Sequence, residues 1–126
     1  MMQIPVAFLI QLLGWSAVWI AVSLVGLWRI SGRGSWRAFF LMSGLWCVVN
    51  IGIVAWALAA PPATVEIFRR VLLVNVGLDI IYLIGGTIML ATRKPMLSGF
   101  GLAVCVQGSA LMAFDLAWWH VLRAAA

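Results

Sequence analysis

The chain has 126 residues, of which 66% are apolar and 9% are charged, and its mean hydropathy is +1.16. A soluble domain, a disordered tail and a disulfide-linked secreted module all need more polar surface than this composition provides. The apolar side chains suffice for four segments of about 20 residues, the length that crosses the hydrocarbon core of a bilayer. The composition therefore predicts an integral membrane protein.

Four apolar segments follow one another along the chain. Pro61 and Pro62 end the second segment, because proline lacks the amide donor that a helix needs. Thr64 is a typical N-cap residue for the third. Connections this short place consecutive helices side by side in opposite directions. We therefore expect a single all-α domain, an antiparallel up-down bundle of four transmembrane helices, with spans at residues 6–28, 38–60, 71–91 and 99–122.

The net charge of +5 comes from eight basic and three acidic residues. The first and third connections hold five of the basic residues, and the opposite side of the predicted bundle holds three. Lys and Arg are enriched on the cytoplasmic side of a membrane. We therefore expect a protein of the bacterial cytoplasmic membrane whose two termini both lie outside the cytoplasm. A Ser35→Cys variant that lacks the native cysteines should then be labelled from the cytoplasmic side, and labelling from outside would contradict the orientation.

The basic residues form short clusters at the predicted membrane boundaries. At such positions they meet lipid phosphates, so the lipid bilayer is the expected partner and nucleic acid is not. Arg29, Arg33 and Arg37 recur every four residues and are candidate contacts for anionic lipid. A solvated basic turn is the alternative interpretation of the same three residues.

Two acidic residues lie within the predicted spans, Asp79 in the third and Asp115 in the fourth. At a rise of 1.5 Å per residue, they lie about 12 and 10 Å from the same end of the bundle. Asn75 and Tyr82 share the helix face of Asp79, because the three are spaced i, i+4 and i+7. A carboxylate that faces lipid is costly, so both aspartates are expected to point into one interior. Since like charges repel strongly there, at least one should be protonated at neutral pH.

These polar residues have two interpretations. The functional one is a ligand or proton site, the default hypothesis for ionisable groups at this depth. The structural one is hydrogen bonding between helices, with a protonated aspartate as a donor to its neighbours. The candidate site residues under either interpretation are Asp79, Asp115, Asn75, Tyr82, Asn50 and Gln107.

Small residues recur along the fourth span and predict close approach by a neighbouring helix. We call them the small-residue stripe, which consists of Gly101, Cys105, Ser109, Ala113 and Ala117.

Cys47 and Cys105 lie within apolar segments without C-x-x-C spacing, so both are expected to be free, reduced packing residues. His120 is the only histidine, which excludes bis-histidine haem ligation within the chain. No metal-ligand motif is present, and no particular cofactor is predicted.

Several short strings together resemble a family of small, uncharacterised four-helix bacterial membrane proteins, a domain of unknown function. The resemblance covers about residues 14–120 and implies the four-helix fold. The family usually has further Asn or His positions on the second helix, where this chain has Ser43 and Cys47, so the resemblance gives weaker support to a site on that helix, although it still draws attention to Asn50. The strings are Phe40-Leu41-Met42-Ser43, Trp46, Val49-Asn50, Asn75-Val76-Gly77-Leu78-Asp79, Tyr82, Gly85-Gly86, Gly99-Phe100-Gly101, Gln107-Gly108 and Phe114-Asp115.

We predict a multi-pass, non-enzymatic membrane protein. Its polar interior would bind a small or lipid-like ligand or dock a helix of a partner membrane protein. The alternative is a proton-coupled small-molecule transporter that acts as a homo-oligomer, in which Asp79 and Asp115 titrate. A third hypothesis is an intramembrane enzyme with the two aspartates as acid and base, although the sequence contains no catalytic motif.

Overall fold

The computed structural model describes residues 5–32, 34–62 and 64–125. It contains four helices, and the described ranges hold no strand, which confirms the predicted all-α fold. All four helices are long and apolar enough to cross a membrane. They are α1 (Val6–Arg29), α2 (Ser35–Ala59), α3 (Val65–Ala91) and α4 (Pro95–Ala125).

The outer surface of the helices is strongly apolar. Ile10, Leu24, Ile84 and Ile88 are among many large aliphatic side chains that are more than half exposed. Contiguous apolar surface on this scale is unfavourable in water and favourable against lipid. The fold is therefore that of a membrane protein.

Two helix ends have identifiable caps. The Ile67 amide donates to Oγ1 of Thr64 over 3.1 Å, so the predicted N-cap of α3 is confirmed. At the end of α1, the Arg37 guanidinium donates to the carbonyls of Leu27 (2.9 Å) and Ile30 (2.7 Å). Arg37 thus satisfies carbonyl groups that have no partner inside α1.

At one end of the bundle, helix backbones approach each other at glycines, and we call this the glycine end. Gly26 of α1 lies against the Phe40 ring of α2, and Gly99 of α4 lies against the backbone of Ser35. Gly101 of α4 lies against Gly86 of α3, where an added Cβ would stand 2.5 Å from the Gly86 carbonyl oxygen. These contacts hold α1 against α2, α2 against α4, and α3 against α4.

At the opposite end, large side chains fill the space between the helices, and we call this the aromatic end. The Phe8 ring lies 5.3 Å from Phe68, 4.9 Å from Phe114 and 5.9 Å from Trp118, measured between centroids. Leu72, Val54 and Leu122 are buried in the same cluster. The bundle is therefore packed by backbone contact at one end and by aromatic contact at the other.

The backbones of α2 and α3 stay apart along most of their length. The small-residue stripe on α4 was predicted to let a neighbouring helix approach closely, and two of its residues, Gly101 and Cys105, contact α3. The remaining three stripe residues are exposed, since Gly108, seven residues after Gly101, continues the contact face instead. The exposed stripe residues are Ser109, Ala113 and Ala117.

Candidate functional site

A cavity of about 280 Å³ lies between the two ends of the bundle, mainly between α2 and α3. Residues from all four helices line it, and most of its wall is apolar or aromatic. This volume lies just below the range of typical small-molecule pockets. The lining residues are Leu12, Trp46, Val49, Asn50, Ile53, Asn75, Leu78, Asp79, Tyr82, Leu111, Phe114 and Asp115.

Asp79 and Asp115 face each other across the boundary between α3 and α4. The two residues are 4% and 6% exposed, and both line the same cavity. The prediction that both point into one interior is therefore confirmed. Two ionised carboxylates that line one buried cavity would repel each other strongly. We therefore expect at least one proton on the pair.

Two polar atoms in the cavity wall are completely buried and have no hydrogen-bond partner among the described residues. They are Oδ2 of Asp79, an acceptor, and Nδ2 of Asn50, a donor. Asn50 is only 2% exposed and lies on α2, across the cavity from the aspartates on α3 and α4. A buried polar group without a partner costs about 1 to 3 kcal/mol, so the cavity offers both a donor and an acceptor to a guest molecule.

The cavity opens sideways through the gap between α2 and α3. Val49 on one rim is 61% exposed and Leu78 on the other is 42% exposed, so both lie at the surface that lipid would cover. Trp46 and Tyr82 bridge the same gap with an edge-to-face ring contact of 5.0 Å. The opening is therefore apolar at the surface and polar at its inner wall.

Gln107 does not line the cavity, unlike the other five candidate site residues. It is fully buried toward α1, where its Oε1 accepts a hydrogen bond of 2.9 Å from Nε1 of Trp15. Nearer the aromatic end, Nε1 of Trp118 donates to Oε1 of Gln11 over 3.0 Å. These two bonds tie α4 to α1, and we assign Gln107 and Gln11 to that contact instead of to the aspartates.

A second, smaller cavity of about 170 Å³ lies between α1 and α4. Leu12, Leu111 and Phe114 line both cavities and so form the wall between them. Gln11 and Trp15 lie on its other side, where the Gln11 oxygen is already bonded to Trp118. This second cavity therefore lacks the unpartnered polar atoms of the first.

The three arginines proposed as contacts for anionic lipid do not share a helical face. Arg29 is the last residue of α1 and Arg37 belongs to α2, with a turn between them. Arg29 is exposed beside the Trp28 ring at 5.9 Å, whereas Arg37 is occupied with the end of α1. Arg33 lies outside the described residues.

The apolar half of the cavity was not predicted from the sequence. Trp46 is one of several tryptophans scattered along the first two helices, yet it precedes Asn50 by four residues and so lies on the same face of α2. That spacing could have placed both residues at the site. Leu12 had no comparable signal, because an apolar residue in an apolar helix carries no information about which way it points.

We predict that the Asp79–Asp115 pair holds a proton at pH 7, because both carboxyl groups are buried at one cavity, where two like charges repel strongly. The infrared spectrum of the native protein should show a protonated carboxyl band that is missing from the Asp79→Asn/Asp115→Asn variant. Glu66, the third acidic side chain, is exposed and paired with Arg69 and Arg70, so it should not contribute. Identical carboxyl spectra for the two proteins would contradict the prediction.

No curated protein matches this chain, and no solved structure matches it. A family match covers residues 11–116, a range that includes every residue lining the cavity between α2 and α3. It also confirms the resemblance to a family of unknown function that was drawn from the sequence strings, and the four helices of the structure agree with the fold that the resemblance implies. The chain belongs to the family of unknown function DUF6992.

Proposed function

We propose that this chain is a multi-pass membrane protein that binds a small amphipathic ligand in the cavity between α2 and α3, without catalysing a reaction on it. The observation that carries the proposal is the cavity's polarity. Its inner wall has an unpartnered donor on Asn50 and an unpartnered acceptor on Asp79, while its mouth is apolar. A ligand with a polar head and a short apolar tail matches both parts.

The ligand would enter from the bilayer and not from water. The rims at Val49 and Leu78 are exposed on the apolar surface, and the large side chains at the aromatic end fill the route along the bundle axis. An amphipathic compound dissolved in lipid would therefore reach the polar wall by moving sideways between α2 and α3.

The size of the cavity distinguishes this proposal from the docking of a partner helix. A helix with its side chains is about 10 Å across, which a cavity of about 280 Å³ cannot accommodate. Proton-coupled transport is less well supported, because transporter sites are typically built from interrupted helices and α1 to α4 are continuous. We place the protein in the bacterial cytoplasmic membrane, with both termini outside, on the five-to-three count of basic residues.

The proposal is tested by photolabelling in lipid nanodiscs with a diazirine derivative of octanol. Crosslinks should concentrate on the two rims and the wall of the cavity, in the peptides that contain residues 46–53 and 78–82. A Val49→Trp variant should lose most of this labelling, because the larger side chain would fill the mouth of the cavity.

Val48→Trp is the matched control. Val48 is similarly exposed on α2 and does not line the cavity, so its substitution should leave the crosslinks unchanged. The proposal fails if labelling is spread evenly over the lipid-facing residues, or if the Val49 and Val48 variants behave alike.

A further inference from the structure

We infer that the ligand is a free organic amine bound as its ammonium ion, with a short apolar tail. This inference rests on the proposed function, since it assigns a chemical class to the occupant of the cavity between α2 and α3. Its support comes from the charge of the cavity wall, from the two unpartnered atoms and from the aromatic rings beside them.

The charge of the wall favours a cation. With one proton shared between Asp79 and Asp115, the pair keeps one negative charge, and the lining residues include no Lys, Arg or His. Tyr82 is the other ionisable side chain in the lining, while α1 contributes Leu12 and α2 contributes no ionisable group. An uncompensated charge is costly in a low-dielectric interior, and one ammonium ion would balance it.

The unpartnered atoms define what the head of the ligand must offer. Oδ2 of Asp79 needs an N–H or O–H donor, and an ammonium group supplies one as a charge-assisted hydrogen bond. Nδ2 of Asn50 needs an acceptor, such as a hydroxyl or carbonyl oxygen next to the amine. A quaternary ammonium ion has no N–H to donate, so primary and secondary amines fit the wall better.

The aromatic lining is also suited to an organic cation. Trp46, Tyr82 and Phe114 line the cavity together with the carboxyl pair, and the faces of aromatic rings attract cations. An ethanolamine lipid headgroup contains the same ammonium group, but its phosphate would enter a cavity that already carries negative charge. The wall therefore favours the free amine over the headgroup.

Competition against the octanol photolabel tests the inference. In nanodiscs of one composition, octylamine, octanol and octanoate are compared by the concentration that halves crosslinking. For the native protein, octylamine should compete about tenfold better than octanol, and octanoate worse than either. Short-chain dihexanoyl phosphatidylethanolamine should compete poorly, and competition equal to that of octylamine would overturn the choice of a free amine.

The Asp79→Asn/Asp115→Asn variant removes the charge of the pair and keeps its hydrogen-bonding shape. It should abolish the advantage of octylamine over octanol while octanol still competes, which also shows that the variant is folded. Asp115→Asn is the matched control, because the Asp79 carboxylate that remains can carry the single negative charge, and the advantage of octylamine should persist. Octylamine and octanol partition into the bilayer differently, but this difference is the same whichever protein variant the nanodisc contains. A change in the ratio of the two concentrations that halve crosslinking therefore reports on the binding site alone.

Acidification gives an independent measurement. A second proton on the carboxyl pair would remove its negative charge, so octylamine should compete less well as the pH falls, whereas octanol should be unaffected. Octylamine itself stays cationic throughout this range, because its amine resembles that of a lysine side chain. If the photolabel still crosslinks to the cavity but octylamine competes no better than octanol at any pH, the amine assignment is wrong, whereas the proposal of a ligand site stands. Absence of specific crosslinking would instead refute the site.

Discussion

Replacement of Gly101 by alanine is expected to destabilise the protein by about 3 kcal/mol, the upper part of the usual range for overpacking. An added Cβ would stand 2.5 Å from the carbonyl oxygen of Gly86 and 2.6 Å from the amide nitrogen of Leu90. Both neighbours are backbone atoms of α3, so no side chain can rotate away, and the two helices would have to separate. Reversible unfolding of Gly101→Ala in mixed micelles measures the loss.

Gly85→Ala provides the matched control for this substitution. Gly85 also lies within α3, and a Cβ added there would have no atom of another element within 4 Å. Alanine is favoured over glycine inside a helix by about 1 kcal/mol, so this variant should be equal to the native protein or more stable. Equal losses in the two variants would show that α3 and α4 do not approach each other at Gly101.

Replacement of Leu72 by alanine is expected to cost about 2 kcal/mol or more. Leu72 is fully buried in the cluster at the aromatic end, beside Phe8 and Phe68. In a bilayer, the unfolded reference also surrounds leucine with hydrocarbon, so transfer from water contributes little to the difference. The loss comes from the cavity that the smaller side chain leaves and from the packing contacts that disappear.

Leu73→Ala is the matched control for the loss of buried packing. Leu73 is the adjacent residue on α3 and is 46% exposed, so lipid chains can fill the space that its truncation leaves. Its expected loss is a few tenths of a kcal/mol, within the range of surface substitutions. If the two alanine variants unfold at the same detergent concentration, the cluster around Phe8 does not stabilise the bundle by tight packing.

The sequence was most informative where a polar residue or a helix terminus stands out against an apolar background. The spacing of Asn75, Asp79 and Tyr82 placed them on one face, and the cost of a carboxylate in lipid predicted that Asp79 would meet Asp115. Both expectations follow from a single helix and the surrounding solvent. Thr64 was predictable for the same reason, since an N-cap is a local interaction.

The direction of Gln107 could not be predicted in this way. It lies eight residues before Asp115, about 80° around α4 from it, and it bonds to Trp15 of α1 while Asp115 lines the cavity. Which neighbour a side chain meets depends on how far apart the helices are at that depth. The distance between α3 and α4 is set by the contact of Gly86 with Gly101 at the glycine end. The distance between α1 and α4 is set by the contact of Phe8 with Phe114 at the aromatic end.

The sequence by itself determined that the chain forms four apolar helices and that its buried acidic groups face inward, because hydropathy and spacing are properties of each helix alone. Only the tertiary structure decided that α2 and α3 stay apart, that the gap between them is a cavity, and that Asn50 and Asp79 present unpartnered atoms to it. The physical reason is that lipid-facing and interior-facing side chains are equally apolar. Periodicity then carries little information about how each helix is rotated, and packing between the helices decides it.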